Sequence, residues 1–401
     1  MNKRIALVTH DLTGGLGTMT FFLYRAIREM SSYDVDLIML PTSSRDKASV
    51  RIIAPSTWFY PPKIVAGEWK GIPYSCVGSV LAEIEFQRYR PRNVLTQLLC
   101  RYDLIQIVAG SPAFGAVTRS VPVPKCLFAA TILREEQRTL LRETRGCLKT
   151  WRTVMTWLGT RWENQALQRM DCVFAESEYT RRLLVKSVSP DKLLLGMPGV
   201  DTKFFSPNVA SKDGNDYILS VGRFSDRRKN VRLLFEAYHK LCTMLPAVPK
   251  LVLAGSTPPL VIDWNYVVSL GIKSRVECLV DVSQEDLRRL YSNASLFVLS
   301  SDEEGLGFVL LEAMASGLPV ISTDCGGPST AVISGETGIL TPIGNARAMA
   351  EAMYKLTINP ALRGKMGAAA RSRVERLFSL EVAGKTYLNE YDRLLATGRQ
   401  T

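Results

Sequence analysis

The eight cysteines (Cys76, Cys100, Cys126, Cys147, Cys172, Cys242, Cys278, Cys325) lie far apart and never form a CxxC pair. That scatter excludes a disulfide frame and a cysteine zinc site, and fits free thiols in a reducing compartment. Nowhere does the chain reach the roughly 18 uninterrupted apolar residues that a membrane span needs. The apolar run after Met1-Asn2-Lys3-Arg4 is too short for a secretory leader. Repeats and low-complexity tracts are missing, and 46% hydrophobic content excludes a disordered or fibrous chain. These absences predict a soluble, cytoplasmic protein, or one held peripherally on the inner face of the cytoplasmic membrane.

Acidic residues are the scarcer charge: 38 Asp/Glu stand against 50 Lys/Arg, a formal net charge of +12. The imbalance is local. Residues 1–200 hold 27 Lys/Arg and 17 Asp/Glu, and the remainder holds 23 and 21. A basic first half predicts an anionic partner there, such as a lipid-linked phosphate or a phosphorylated small molecule. Nucleic acid would account for the charge but for none of the motifs below, so no nucleic-acid partner is expected.

At 401 residues the chain suits two domains. Short aliphatic runs (Ile5–Val8, Val35–Leu40, Leu104–Val108, Cys172–Ala175, Leu193–Met197) alternate with helical patterns such as Met19/Phe22/Leu23/Ala26/Ile27/Met30. The alternation restarts near residue 215 with Tyr217–Val221, Leu251–Ala254, Arg275–Leu279, Leu296–Leu299, Val320–Ser322 and Gly338–Leu340. Strands apolar throughout, separated by helices, predict parallel sheets covered on both faces. The fold class is therefore α/β, with two Rossmann-like domains facing a central cleft. Residues 1–198 form the first domain and 199–378 the second. A final helix within 379–401 is expected to cross back to the first domain.

The most informative stretch is Ser300-Ser301-Asp302-Glu303-Glu304-Gly305-Leu306-Gly307-Phe308-Val309-Leu310-Leu311-Glu312-Ala313-Met314-Ala315-Ser316-Gly317-Leu318-Pro319-Val320. It reads as strand, glycine turn, buried helix, stop and strand. Glu312 is the only charge on that helix and needs a hydrogen-bonding partner, because an unpaired buried carboxylate costs several kcal/mol. The N-terminus of the helix, at Gly305, Leu306, Gly307 and Phe308, offers backbone N–H groups to an anion such as a diphosphate. Glu312 can then accept ribose hydroxyls, and Glu304 can reach a sugar beyond the phosphates. Arg223 and Lys229, after the strand Tyr217–Val221, are cations on a loop that can meet such an anion. The two glutamates are roughly 10 Å or more apart along turn and helix, farther than the carboxylate pair of a retaining hydrolase.

Glu304 and Glu312, seven residues apart within EGLGFVLLEAMASGLPVI, resemble the signature of glycosyltransferase family 4, retaining enzymes of the GT-B fold. Further segments agree in order: Ala175-Glu176-Ser177-Glu178-Tyr179-Thr180, Gly199-Val200-Asp201 with Phe205, Val221-Gly222-Arg223-Phe224 with Arg228-Lys229-Asn230, and Asp324-Cys325-Gly326-Gly327-Pro328. The resemblance implies transfer of a sugar from a nucleotide-sugar to an acceptor hydroxyl, without a metal or other cofactor. Attack would come from the front face, with the departing phosphate taking the acceptor's proton. It assigns Arg223, Lys229 and Glu304 to catalysis, Glu312 to ribose, and the backbone around Val282 to the base. A sugar-nucleotide epimerase or a non-catalytic sugar-nucleotide binder of the same fold is the alternative.

In the first domain, Gly14, Gly15 and Gly17 follow the first strand and open a helix. By the resemblance, Gly15 and Gly17 approach the donor, while His10, Gly14 and Thr131 belong to the acceptor or cleft. No G-x-G-x-x-G follows Ile5–Val8, which speaks against a dinucleotide enzyme. Family members often carry a histidine where this chain has Lys125–Leu133, which has none, so the donor sugar stays open. From Arg134 to Trp162 runs a basic stretch. Leu141, Leu148, Trp151, Met155, Leu158 and Trp162 approximate one stripe beside Arg138, Arg142, Arg145, Lys149 and Arg152. Such a face could lie on an anionic membrane or pack on the core.

Overall fold

The computed structural model describes residues 2–42, 46–81, 83–138, 141, 144–207 and 216–397. Arg142 and most of the polar segment 208–216 lie outside them. Two units emerge, Met1–Gly199 with Ala383–Thr401, and Val200–Val382.

The first unit is built on β1 (Arg4–Thr9), β2 (Asp34–Met39), β3 (Ile64–Trp69), β4 (Ile72–Val77), β5 (Leu104–Ala109), β6 (Lys125–Ala129), β7 (Cys172–Ala175) and β8 (Leu193–Leu195). They lie in the order β3-β4-β2-β1-β5-β6-β7-β8. β5 and β7 are buried at every residue, as apolar strands covered on both faces must be. One strand departs from the parallel pattern. β3 runs antiparallel to β4, joined through Lys70 and Gly71, both at positive φ (51° and 76°). Two such residues match the right-handed twist of a tight hairpin.

The second unit holds β9 (Tyr217–Arg223), β10 (Lys250–Thr257), β11 (Val276–Val280), β12 (Leu296–Leu299), β13 (Val320–Thr323) and β14 (Gly338–Thr341), all parallel. Their order is β11-β10-β9-β12-β13-β14. The winding reverses between β9 and β12 here, and between β1 and β5 in the first unit. In open α/β sheets, ligands bind beyond the strand ends at such reversals.

The C-terminal helix Leu380–Thr397 completes the first unit from Ala383 onward. Its fully buried Tyr387 donates to the Gly196 carbonyl at 2.5 Å, and Tyr391 donates to Gln106 Oε1 at 2.8 Å. Among the described residues no helix is long and apolar enough to cross a membrane. All eight cysteines are free, with Cys100 and Cys147 exposed.

Candidate functional site

At the reversal in the second unit, the loop after β9 and the loop after β12 are tied together. Asn230 adopts a left-handed conformation (φ 41°) and caps the helix Val231–Met244 by accepting from the Leu233 N–H. Its amide then donates to Asp302 at 2.8 Å. The Asp302 N–H donates to the Arg228 carbonyl, and the Ser300 hydroxyl to the Lys229 carbonyl, at 2.8 and 2.9 Å. These bonds fix the direction in which Lys229 leaves the backbone.

Lys229 Nζ donates to Glu304 Oε1 at 2.5 Å, and the Ser301 hydroxyl donates to the same oxygen at 2.6 Å. The two charged side chains are only 17% and 10% exposed. Glu304 is also held through its backbone, bridging to Gly326 and accepting from the Gly327 N–H. Gly327 is required there: a Cβ would sit 2.0 Å from the Gly305 carbonyl oxygen.

Next along the chain, Gly307 takes φ 90° and starts the helix Phe308–Ala315. Its first turn leaves backbone N–H groups without intrahelical acceptors. Leu306 is fully buried, whereas Gly305 and Phe308 are half-buried. Glu312 finds a partner on the helix Gln284–Asn293. Fully buried Tyr291 donates its hydroxyl to Glu312 Oε2 at 2.8 Å. Burial, then the Glu312 charge, pushes the Tyr291 phenol well above its usual range, so it stays a donor.

Arg223, at the end of β9, is 40% exposed and lies 3.5 Å from Asp226. Arg228 forms the closer pair with Asp226, through Nε at 3.2 Å and a terminal nitrogen at 2.8 Å. Burial raises the Asp226 carboxyl, but Arg228 more than offsets this and holds it below the usual range. Arg228 is therefore tied up locally, not a free surface neighbour, while Arg223 keeps much of its guanidinium in solvent. Val282 follows exposed Asp281, whose φ of 54° turns the chain sharply after β11.

In the first unit, His10 and Thr131 meet at one residue. The Gly110 N–H donates to His10 Nε2 at 3.4 Å, and the Thr131 N–H donates to the Gly110 carbonyl at 2.9 Å. The His10 ring stacks on Phe114, with centroids 3.8 Å apart and planes at 6°. Burial first, and the Arg88 charge with it, lowers the His10 pKa to about 4 against the opposing pull of Asp11. Gly14 and Gly15 are exposed at the start of the helix Gly14–Met30. Gly17 is buried, and a Cβ there would lie 2.3 Å from the Leu12 carbonyl oxygen. Its missing side chain lets the turn close on the helix.

Two acids near this point escaped sequence reasoning. The Glu136 carboxylate lies about one contact distance from Gly110, 3.6 Å from where a Cβ would stand. Buried Glu163 accepts from the Leu133 N–H at 2.8 Å, and burial raises its pKa to about 7, with a further push from Glu136. The only available signal was the spacing of Thr156, Gly159, Glu163 and Ala166 on the inner face of the helix Gly146–Leu167. That face is small and polar, so the expected apolar stripe divides. Trp162 packs on the core, Met155 and Leu158 are half-buried, and Leu148 and Trp151 stand in solvent.

Comparison with known proteins finds a family match over the second unit. The family model described as "Glycosyl transferases group 1" matches residues 201–373. The chain is 33% identical over 163 residues to N-acetyl-alpha-D-glucosaminyl L-malate synthase of Bacillus anthracis, covering 41% of this chain and 42% of that one. It is 36% identical over 181 residues to the capsular polysaccharide biosynthesis glycosyltransferase CapM of Staphylococcus aureus, 45% and 47% of the two chains. The chain thus spans about half the length of the curated relatives it matches. The fold extends over nearly the whole molecule. Sucrose-phosphate synthase of Thermosynechococcus elongatus superposes with a TM-score of 0.75 at 21% identity, covering 99% of this chain and 100% of that one. HepE of Anabaena, solved with UDP and glucose, superposes with a TM-score of 0.69 at 16% identity, covering 98% and 100%. Both neighbours share the two-domain α/β architecture termed GT-B.

Proposed function

We propose, from the match of residues 201–373 to the group 1 glycosyl transferases, that the protein moves a sugar from a nucleoside-diphosphate sugar to an acceptor hydroxyl with retention at the anomeric carbon. The observation that carries this reading is the Lys229–Glu304 pair beside the N-terminus of the Phe308–Ala315 helix, at the winding reversal of the second sheet. A cation and free N–H groups there suit a diphosphate, and a carboxylate next to them suits sugar hydroxyls. In this reading Arg223 and Lys229 bind the diphosphate and stabilise it as it leaves. Glu304 orients the donor sugar and Glu312, steadied by Tyr291, accepts from the ribose hydroxyls. The base lies against the backbone at Val282.

The acceptor oxygen forms the new bond to the anomeric carbon as the bond to the phosphate oxygen breaks. Its proton passes to that departing oxygen, so no side-chain nucleophile enters. The cations of the site carry the phosphate charge, and no metal or other cofactor is assigned a part. In the first unit, His10, Gly14, Gly15, Gly17 and Thr131 are assigned to substrate binding. The excess of Lys/Arg in residues 1–200 supports an anionic acceptor.

The test is release of free nucleotide from a panel of nucleotide-sugars. Release that requires an acceptor, and that falls with Glu304→Gln, is the expected result. Tight donor binding with no acceptor-dependent release in any pairing would leave only a binding protein.

A further inference from the structure

Two stretches of the first unit hold large apolar side chains in solvent, and neither is used by the reading above. One is the loop that precedes β3, where Trp58 is 58% and Phe59 84% exposed, with Ile53 and Tyr60 beside them. The other is the outer face of the helix Gly146–Leu167, where Trp151 is 57% and Trp157 59% exposed, with Leu148 and Val154 between. Scattered apolar residues on a surface need no explanation, but two aromatic clusters do.

Topology sets both at one end of the sheet. Ile64, the first residue of β3, pairs with Val77, the last of β4, and β4 runs parallel to β2. The loop before β3 therefore leaves the sheet at the end where the parallel strands finish. The helix Gly146–Leu167 follows β6 and delivers the chain to the start of β7, so it begins at that same end. Gly159 packs on Leu133, just past the end of β6, which leaves the turns before it, with Trp151 and Trp157, at that end. His10, Gly110 and Thr131 stand at the finishing end too, directly after β1, β5 and β6.

The charge along both stretches is predominantly basic, although Glu83 reaches the first and accepts from the Ile52 N–H at 3.1 Å. From Lys47 to Gly67 the sequence carries Lys47, Arg51 and Lys63 and no acid. From Arg145 to Trp162 it carries Arg145, Lys149, Arg152 and Arg161 and no acid. Lys63 lies over the Tyr60 ring at 5.2 Å, and Arg161 over the Trp157 ring at 5.5 Å. Aromatic rings interleaved with cations are the side chains that settle in the headgroup layer of an anionic bilayer.

The geometry points to an anionic phospholipid surface as the partner of this end of the first unit, with Trp58/Phe59 and Trp151/Trp157 entering the headgroup layer. The proposal deepens the acceptor reading, because it makes a lipid-borne anion the acceptor that the first unit's strand ends receive. Docking itself is read without turnover, so the two can fail separately.

The full chain is mixed with sucrose-loaded vesicles of phosphatidylcholine alone or with phosphatidylglycerol, and pelleted. Sedimentation with the anionic vesicles only, and release as salt shortens the screening length from about 8 Å toward about 3 Å, is expected. Trp58→Ala/Trp151→Ala/Trp157→Ala should lower vesicle affinity at least about tenfold, as three interfacial side chains exceed 1.4 kcal/mol in sum. The same variant should keep its stabilisation by nucleoside diphosphate, with only the small fall in melting temperature that loss of the Trp58 Nε1 bond to the Arg51 carbonyl brings. Lys63→Glu/Lys149→Glu should weaken binding at low salt. Equal sedimentation with neutral vesicles, none with anionic ones, or undiminished binding by the tryptophan variant overturns the proposal. So does a doubled mass in solution that the tryptophan variant abolishes, which would make this end an interface between two copies.

Discussion

Lys229 and Arg223 share a proposed task but stand in different surroundings, and replacing each by alanine separates binding from stability. Lys229 is 17% exposed and its partner Glu304 10%, so Lys229→Ala leaves a nearly buried carboxylate without its cation. Breaking such a pair from one side costs about 3–5 kcal/mol. The Ser301 hydroxyl still donates to Glu304 and lowers the penalty; a loss of about 2–3 kcal/mol follows. For a unit of this size that is a fall of roughly 4–12 °C in the melting transition. Arg223 is 40% exposed, 3.5 Å from an Asp226 that keeps Arg228, so Arg223→Ala should shift stability by no more than about 0.5 kcal/mol. Both variants should bind nucleoside diphosphate more weakly. Adding Glu304→Gln to Lys229→Ala should restore much of the lost stability, because an amide needs no cation. Calorimetric melting with and without nucleotide checks each statement. A Lys229→Ala protein that melts with the wild type, or one that Glu304→Gln does not rescue, would refute the burial argument.

Glu312→Gln should weaken nucleotide binding by about 1.5–3 kcal/mol, the value of a charge-assisted bond, with the fold intact by circular dichroism; titration calorimetry measures it. Two opposed pH effects should coexist in the first unit. His10, lowered from 6.5 to about 4, contributes stability that is lost as pH falls through that window, whereas Glu163, raised from 4.5 to about 7, contributes stability lost as pH rises through its own. The two nearly cancel where the windows overlap, so Glu163→Gln should expose a rise in urea midpoint with pH across that range; an unchanged profile would deny the Glu163 shift. Turnover should persist in EDTA, since Arg223, Lys229 and the helix terminus are assigned the phosphate charge. A strict requirement for added divalent cation would withdraw that assignment.

What could be read in the sequence was what is local. The turn and helix from Glu304 to Glu312 lie within one short segment, and buried strands such as β5 and β7 announce themselves as unbroken apolar runs. The hairpin of β3 and β4 was missed because its turn is Lys70-Gly71, not Asn-Gly, and every β3 residue keeps some exposure. Partnerships across long separations were also invisible. Lys229 and Glu304 are 75 residues apart, and Tyr291 reaches Glu312 across 21. Glu136 acts on Glu163 only because the short helix Leu133–Glu136 packs on the helix Gly146–Leu167. Nothing in the sequence marks Lys229 as buried, and only the loop ties through Asn230, Asp302 and Ser300 take it out of water.

The return of the C-terminal helix has a consequence in time. Gln106 and the Gly196 carbonyl are polar groups in the first unit whose hydroxyl donors, Tyr391 and Tyr387, are the last part of that unit to be translated. When residues 1–199 have left the ribosome, their interior still lacks a wall, and all of Val200–Val382 must be made before it arrives. Vectorial folding, in which an N-terminal domain finishes first, is thereby reversed: the second unit is the one that can close on its own residues. A nascent chain stalled before Ala383 would carry a finished second unit behind an unfinished first one, and chaperone engagement would fall on the first half of the protein.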